Sequence, residues 1–180
     1  MAKVYCHNSA QSRSHRPSME SVRLGPDDAA RFVAMRQTAL AQEAASFRTS
    51  AADDAKVPLA AWAQRLEQEH VYAVQHDGEW LAIGGLSRDA RAKLDHKGLI
   101  WGMYVSPGAR GTGAADQLLE ALVASGVALG LRQLQLTLMA DNVRARRLYE
   151  RHGFELYGTE PDSVCRDGIF ADEALMWKRL

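Results

Sequence analysis

Cysteine is nearly absent from this chain: its 180 residues include two, Cys6 and Cys165, far apart. They form neither a metal-ligand spacing nor a disulfide framework, which suits a reducing compartment and leaves no metal site to expect. Charge of either sign is not in excess, because 22 Lys and Arg balance 22 Asp and Glu. That balance argues against a dedicated nucleic-acid binder, whose domain would be strongly basic. No apolar run approaches the ~18 residues that a membrane-crossing helix needs, and the first residues lack the apolar stretch of a secretory signal. These absences together point to a cytoplasmic protein with no nucleic-acid and no membrane partner. What is present is ordinary: 47% apolar and 24% charged residues, in a length that suits one domain.

Residues 1–18, "MAKVYCHNSAQSRSHRPS", are polar and without period, and predict a disordered extension ahead of a domain over 19–180. "SVRL" (Ser21–Leu24) reads as a short first strand. A helix follows, with Pro26 at its first position and Phe32, Met35, Ala39 and Leu40 at helical spacing. A polar stretch separates it from a second helix that opens at Pro58 and carries Leu59, Trp62 and Leu66. The period then shortens. "HVYAVQHDGEWLAIGGLSRD" predicts a hairpin turning at Asp77-Gly78, and "LIWGMYVSP" a buried strand. Beyond three glycines the next helix shows Leu118, Leu119, Leu122, Val123 and Val127 on one stripe, stopping near Gly126–Gly130. Leu134, Leu136 and Leu138 alternate with polar residues, a half-buried strand. "DNVRARRLYERHGF" reads as a short helix capped by Asn142 and ended at Gly153, and two final strands lie around "FELYGTE" and "EALMWKRL". The expected fold is one mixed α/β domain on a largely antiparallel sheet.

The stretch "GMYVSPGARGTGAADQLLEAL" (Gly102–Leu122) puts a glycine-rich elbow between a strand and a helix start. The first-turn amides of a helix have no internal partners, and the helix dipole is positive there. Glycine lets such a backbone approach a phosphate without a Cβ in the way. The elbow therefore suits a pyrophosphate, with Arg110 adding charge; a tight turn with no ligand is the plainer alternative. The helix continues Ala-Ala-Asp where a Walker loop would need Lys-Ser/Thr, and "GTGAAD" lacks the third glycine of the dinucleotide fingerprint.

Read with "LQLTLMADNVRARRLYERHGF", the elbow resembles the GNAT superfamily of acyl-CoA-dependent N-acyltransferases. Its loop pattern Q/R-x-x-G-x-G/A is met by Arg110, Gly113 and Ala115. Its second pattern, N-x-x-A-x-x-L-Y-x-x-x-G-F, is met by Asn142, Ala145, Leu148, Tyr149, Gly153 and Phe154. The resemblance covers about residues 20–180 and is strongest from Gly98 to Phe154. It implies a single domain with a mixed, mostly antiparallel sheet of about six or seven strands, flanked by about four helices. Two of the strands would splay apart to form an acyl-CoA cleft. It also implies acetyl-CoA as the acyl donor and an N-acetyltransferase acting on an amine of a small molecule. On that basis Met103, Tyr104 and Val105 would bind the pantetheine arm through their backbone. Arg110, Gly111, Thr112, Gly113, Ala114 and Ala115 would hold the pyrophosphate, and Asn142 would contact the arm from the other side. Val105 would supply an amide to the developing oxyanion, and Tyr149 a proton to the departing thiolate.

One position departs from the family pattern. Many members carry a Glu on the strand before the loop, where this chain has Leu99. His96, Asp172, Glu173, Glu43 and ordered water are then the candidate bases. Arg144, Arg146, Arg147 and Arg151 are candidate phosphate contacts or simply a wet helix face. Phe47, Trp62, Trp101, Tyr157, Phe170 and Trp177 supply an acceptor pocket or a core. A protein N-terminus or lysine as acceptor, a non-catalytic acyl-CoA sensor, and a homodimer all stay open.

Overall fold

The computed structural model describes residues 19–180, and the expected disordered extension, 1–18, lies outside the described residues. Strand β1 (Glu20–Arg23) leads into a single 3₁₀ turn, Pro26–Asp28, and then into helix α1 (Ala29–Gln42). Pro26 opens the turn, and the Gly25 N–H donates to the Asp28 carboxylate at 2.9 Å. The α-helix therefore begins three residues later than Pro26 suggested. The polar stretch that follows contains helix α2 (Ala51–Asp54), capped by Ser50 Oγ, which accepts from the Asp53 N–H at 3.0 Å. One turn carries no apolar period, so sequence reasoning missed it. Helix α3 (Leu59–Gln68) starts just after Pro58.

Strands β2 (His70–His76) and β3 (Glu79–Arg88) form the expected hairpin. Its turn residues Asp77 and Gly78 have φ of 49° and 80°, the left-handed pair that a two-residue hairpin turn requires. Strand β4 (Lys97–Val105), helix α4 (Ala114–Ala128), strand β5 (Gln133–Met139) and helix α5 (Val143–Arg151) come next. Strands β6 (Glu155–Arg166) and β7 (Ile169–Arg179) close the chain as a hairpin longer than the two strand signals suggested.

The seven strands make one sheet in the order β1-β2-β3-β4-β5-β7-β6. Every neighbouring pair is antiparallel except β4 and β5. That parallel pair holds over Lys97–Leu99 against Gln133–Gln135 and no further. The expected mixed, mostly antiparallel sheet is present, with five α-helices where about four were expected.

The reason for the divergence lies partly in β4. Ile83 pairs with Tyr104 and Gly85 with Trp101, so Gly84 alone faces both Gly102 and Met103. This is a β-bulge, and Gly102 adopts φ 66° to make it. A bulge bends its strand and sharpens the twist, here just where β4 leaves β5.

Two cores sandwich the sheet. On one face α4 buries Leu118, Leu119 and Leu122 against Val74, Ala82, Leu86 and Leu134. Each of those leucines contributes about 1.5–3 kcal/mol by leaving water. Val127, placed on the same stripe by sequence, is 59% exposed instead. The helix buries the face of Leu118, Leu122, Ser125 and Gly126, and Val127, about 100° further round than Gly126, turns away from it. On the other face α1 and α3 bury Phe32, Trp62 and Leu66 against Val71 and Ile83. Leu134, Leu136 and Leu138 all point inward, as their alternation predicted.

Candidate active site

Where β4 and β5 part, a cleft of about 490 Å³ opens between them. The end of β4 forms one wall, with Met103, Tyr104 and Val105; the elbow forms the floor; α5 forms the opposite wall, with Ala145, Leu148 and Tyr149. Glu43, Ser46 and Phe47, from the segment after α1, border it as well. The Ser106 N–H donates to Leu81 of β3 at 2.8 Å. Amides alternate in direction along an extended strand, so the Val105 N–H turns the other way, to the edge of β4 that has no partner strand. Tyr104 presents only its backbone to the cleft. Its ring is buried in the second core, and its hydroxyl donates to Gln42 Oε1 at 2.8 Å.

The elbow runs from Arg110 to Ala115. Gly111 and Gly113 have φ of 78° and 97°, which side chains rarely tolerate. A Cβ on Gly111 would meet nothing within 4 Å, and one on Gly113 only Met19 Cε at 3.9 Å. The space in front of these glycines is therefore open, as a ligand's approach requires. Among the described residues, the amides of Gly111, Gly113, Ala114, Ala115 and Asp116 donate to no backbone carbonyl. The amides of Arg110 and Thr112 are taken by the elbow's own turns, each at 3.3 Å to Pro107 and Ala109 respectively. Ala114, expected among the pyrophosphate contacts, is the one elbow residue that does not border the cleft, because it is fully buried against the core. The Arg110 guanidinium does not face the elbow amides alone: it is ion-paired with Glu43.

Asp116, in the first turn of α4, accepts from Arg151 at 2.8 Å and shares a hydrogen bond with His152 Nε2 at 2.9 Å. Burial by itself would push its carboxyl up, but those two partners hold it below the usual carboxylate range. Its charge is therefore neutralised and does not repel an anion at the elbow.

Helix α5 starts as its motif suggests. The Asn142 side-chain oxygen accepts from the Ala145 N–H at 3.1 Å, and the residue borders the cleft. Gly153 ends the helix at φ 77°. Tyr149 is 6% exposed and packs edge-on against Phe154 with centroids 5.8 Å apart. Burial pushes its phenol well above the ordinary tyrosine range, which disfavours the phenolate still further than in a free tyrosine. Of the α5 arginines, Arg144 and Arg151 line the cleft, while Arg146 is tied to Glu150 at 2.8 Å.

The candidate bases separate clearly. His96 sits before β4, at the end of the strand away from the cleft, and its carbonyl accepts from Arg132 at 2.9 Å. Leu99, where a strand Glu was sought, is 48% exposed. Glu173 is buried on β7, where Arg48 and Ser163 bind its carboxylate; burial pushes it up and those partners bring it net below the usual range. Neither Glu173 nor Asp172 lines the cleft, but Glu43 does. Of the aromatic residues expected to supply an acceptor pocket, only Phe47 borders it. Trp62 and Trp101 belong to the second core, and Tyr157 and Phe170 lie 53% and 61% exposed on the β6–β7 hairpin. Arg48, which crosses from the segment after α1 to Glu160, Ser163 and Glu173, carried no sequence signal because its partners lie over a hundred residues away.

Known proteins share this architecture. A Streptococcus pneumoniae acetyltransferase of the GNAT family superposes with a TM-score of 0.79 at 22% identity, over 91% of this chain and 99% of that one. A Salmonella typhimurium protein solved with its cofactor acetyl-CoA gives 0.77 at 19% identity, over 91% and 94%. The ribosomal-protein-alanine N-acetyltransferase of Brucella melitensis gives 0.77 at 20%, over 89% and 99%. In sequence, uncharacterised N-acetyltransferases of Mycobacterium bovis and Mycobacterium tuberculosis are 30% identical over 108 residues, 59% of this chain and 67% of theirs. The model of the Acetyltransferase (GNAT) family matches residues 34–154, elbow and Asn142–Phe154 segment included. With most of the chain inside that match, and the splayed strands and glycine elbow in place, the chain belongs to the GNAT family of acetyltransferases, which use acetyl-CoA.

Proposed function

We propose that this chain transfers an acetyl group to a primary amine of a small molecule, by direct attack within a ternary complex, and that it does so in the cytoplasm. The observation that carries the reading is the cleft itself. A free strand edge, a row of unpaired elbow amides and a buried phenol border one space of about 490 Å³. Acetyl-CoA, once bound, supplies an activated thioester.

The residues divide the work. The free amides of Gly111, Gly113 and Ala115 receive the pyrophosphate, aided by the positive end of α4. Met103 to Val105 offer backbone groups along the open edge to the pantetheine arm, and Asn142 faces it across the cleft. The Val105 N–H donates to the carbonyl oxygen on which negative charge develops. Tyr149, protonated at neutral pH as tyrosines ordinarily are, gives its proton to the sulfur as the C–S bond breaks.

Ser46 and Phe47 border the cleft, whose volume of about 490 Å³ suits a small acceptor. A protein N-terminus is the second reading, and the neighbouring fold of a ribosomal-protein-alanine N-acetyltransferase is the observation in its favour. The test is incubation with acetyl-CoA, a thiol-reactive dye and a panel of small amines beside peptides with free N-termini. Thiol release driven by a small amine supports the proposal. Release driven only by peptides moves the acceptor to protein, and release by neither leaves an acyl-CoA-binding module.

A further inference from the structure

Only two of the residues bordering the cleft carry carboxylates, Glu43 and Asp116. Asp116 is held by His152 and Arg151 in the first turn of the pyrophosphate helix. Glu43 caps the C-terminus of α1, next to the Ser46–Phe47 border where an acceptor would enter. Its single charged partner among the described residues is Arg110, the elbow arginine. Both side chains are partly covered, at 33% and 26% exposed for Arg110 and Glu43.

Building on the acetyl-transfer reading, we propose that Glu43 is the base that deprotonates the acceptor amine, masked by Arg110 until the pyrophosphate of the cosubstrate takes that arginine. A carboxylate bound to an arginine is a poor proton acceptor, and one released from it is a competent one. A pyrophosphate seated on the elbow amides lies beside Arg110 with more than one negative charge, and it outbids a single carboxylate for the guanidinium. The unmasked Glu43 takes a proton from the ammonium, whose neutral nitrogen then bonds to the thioester carbon. As the C–S bond breaks, Tyr149 delivers a proton to the sulfur and the nitrogen gives up its second proton to water, after which Glu43 and Tyr149 recover their starting states through solvent. The base thus becomes available only when the donor is in place, which also compensates for Leu99.

The two roles give Glu43→Gln opposite effects, a pattern that general damage to the fold would not produce. Removing the competing charge frees Arg110, so acetyl-CoA should bind the variant several-fold more tightly in a calorimetric titration. Turnover with an amine identified on wild-type protein should fall by at least about tenfold, and Glu43→Asp should keep an intermediate rate. Equal or weaker acetyl-CoA binding by Glu43→Gln overturns the masking, and unchanged turnover overturns the base. A wild-type protein that binds no acetyl-CoA overturns the acetyl-transfer reading itself.

Discussion

Leu99 of β4 and Gln135 of β5 are the last residues at which the two central strands stay paired. Past them the strands turn away from each other, and the unpaired edge of β4 becomes the wall of the cleft. The position that often holds the family's acid is here the hinge of the opening, half exposed and apolar.

Gly113→Asp should abolish acetyl-CoA binding. The substitution places a carboxylate in front of the elbow amides and asks an L-residue to adopt φ 97°. The strain costs about 1–2 kcal/mol, while the open surroundings of Gly113 leave the fold standing. Calorimetric titration beside a thermal melt checks both halves, and unchanged affinity would refute the cradle.

Tyr149→Phe should lower kcat by roughly ten- to a thousandfold with little change in acetyl-CoA affinity. Only the hydroxyl is lost, and the ring keeps its edge-on contact with Phe154. Full turnover in this variant would reduce the phenol to core packing.

Arg36 and Asp54 form a buried pair at 2.8 Å, with side chains 10% and 3% exposed. Asp54→Ala strands the arginine under the Gly102 bulge and should cost about 3–5 kcal/mol in chemical denaturation. Replacing both with apolar residues of similar volume should recover most of that loss. A double variant as unstable as the single one would contradict this account.

Glu173 gives a pH signature. Its folded carboxyl is held below the usual range by Arg48 and Ser163, against the opposing effect of burial. Its contribution to stability is therefore fully present above the unfolded value and is lost as pH falls through the lower, folded value. Arg48→Ala leaves a buried carboxylate with its cation gone and should destabilise by about 1–3 kcal/mol at neutral pH. The difference should shrink on acidification, as Glu173 protonates in both proteins. Melting curves across the acid range check the sign, and a gap that widens at low pH would be the wrong sign.

Much of the fold was legible because its signals are local. The Asp77-Gly78 turn, the Leu134–Leu138 alternation and the Asn142 and Gly153 caps are each written within a few residues. The bulge at Gly102 was not, because a bulge is a relation between Gly84 and two residues of another strand. The same holds for the site. The elbow and the α5 motif are contiguous, so their residues could be named. Glu43, Arg48 and Glu173 find their partners across 67 and 125 residues of chain, and composition near each of them says nothing about that.

The three-residue seam between β4 and β5 also has a mechanical meaning. One half of the sheet, β1 to β4, and the other, β5 to β7, are each knitted by long antiparallel ladders, whereas the joint between them is a few rungs wide. Hydrogen bonds tie the two halves along those rungs alone, and the leucines of α4, packed on both β2–β3 and Leu134, carry the rest of the joint. Lengthening the seam by restoring pairing beyond Gln135 would stiffen the enzyme and close the cleft in one stroke. Further stiffness at the seam and an open cleft are, in this chain, alternatives decided by the same few hydrogen bonds.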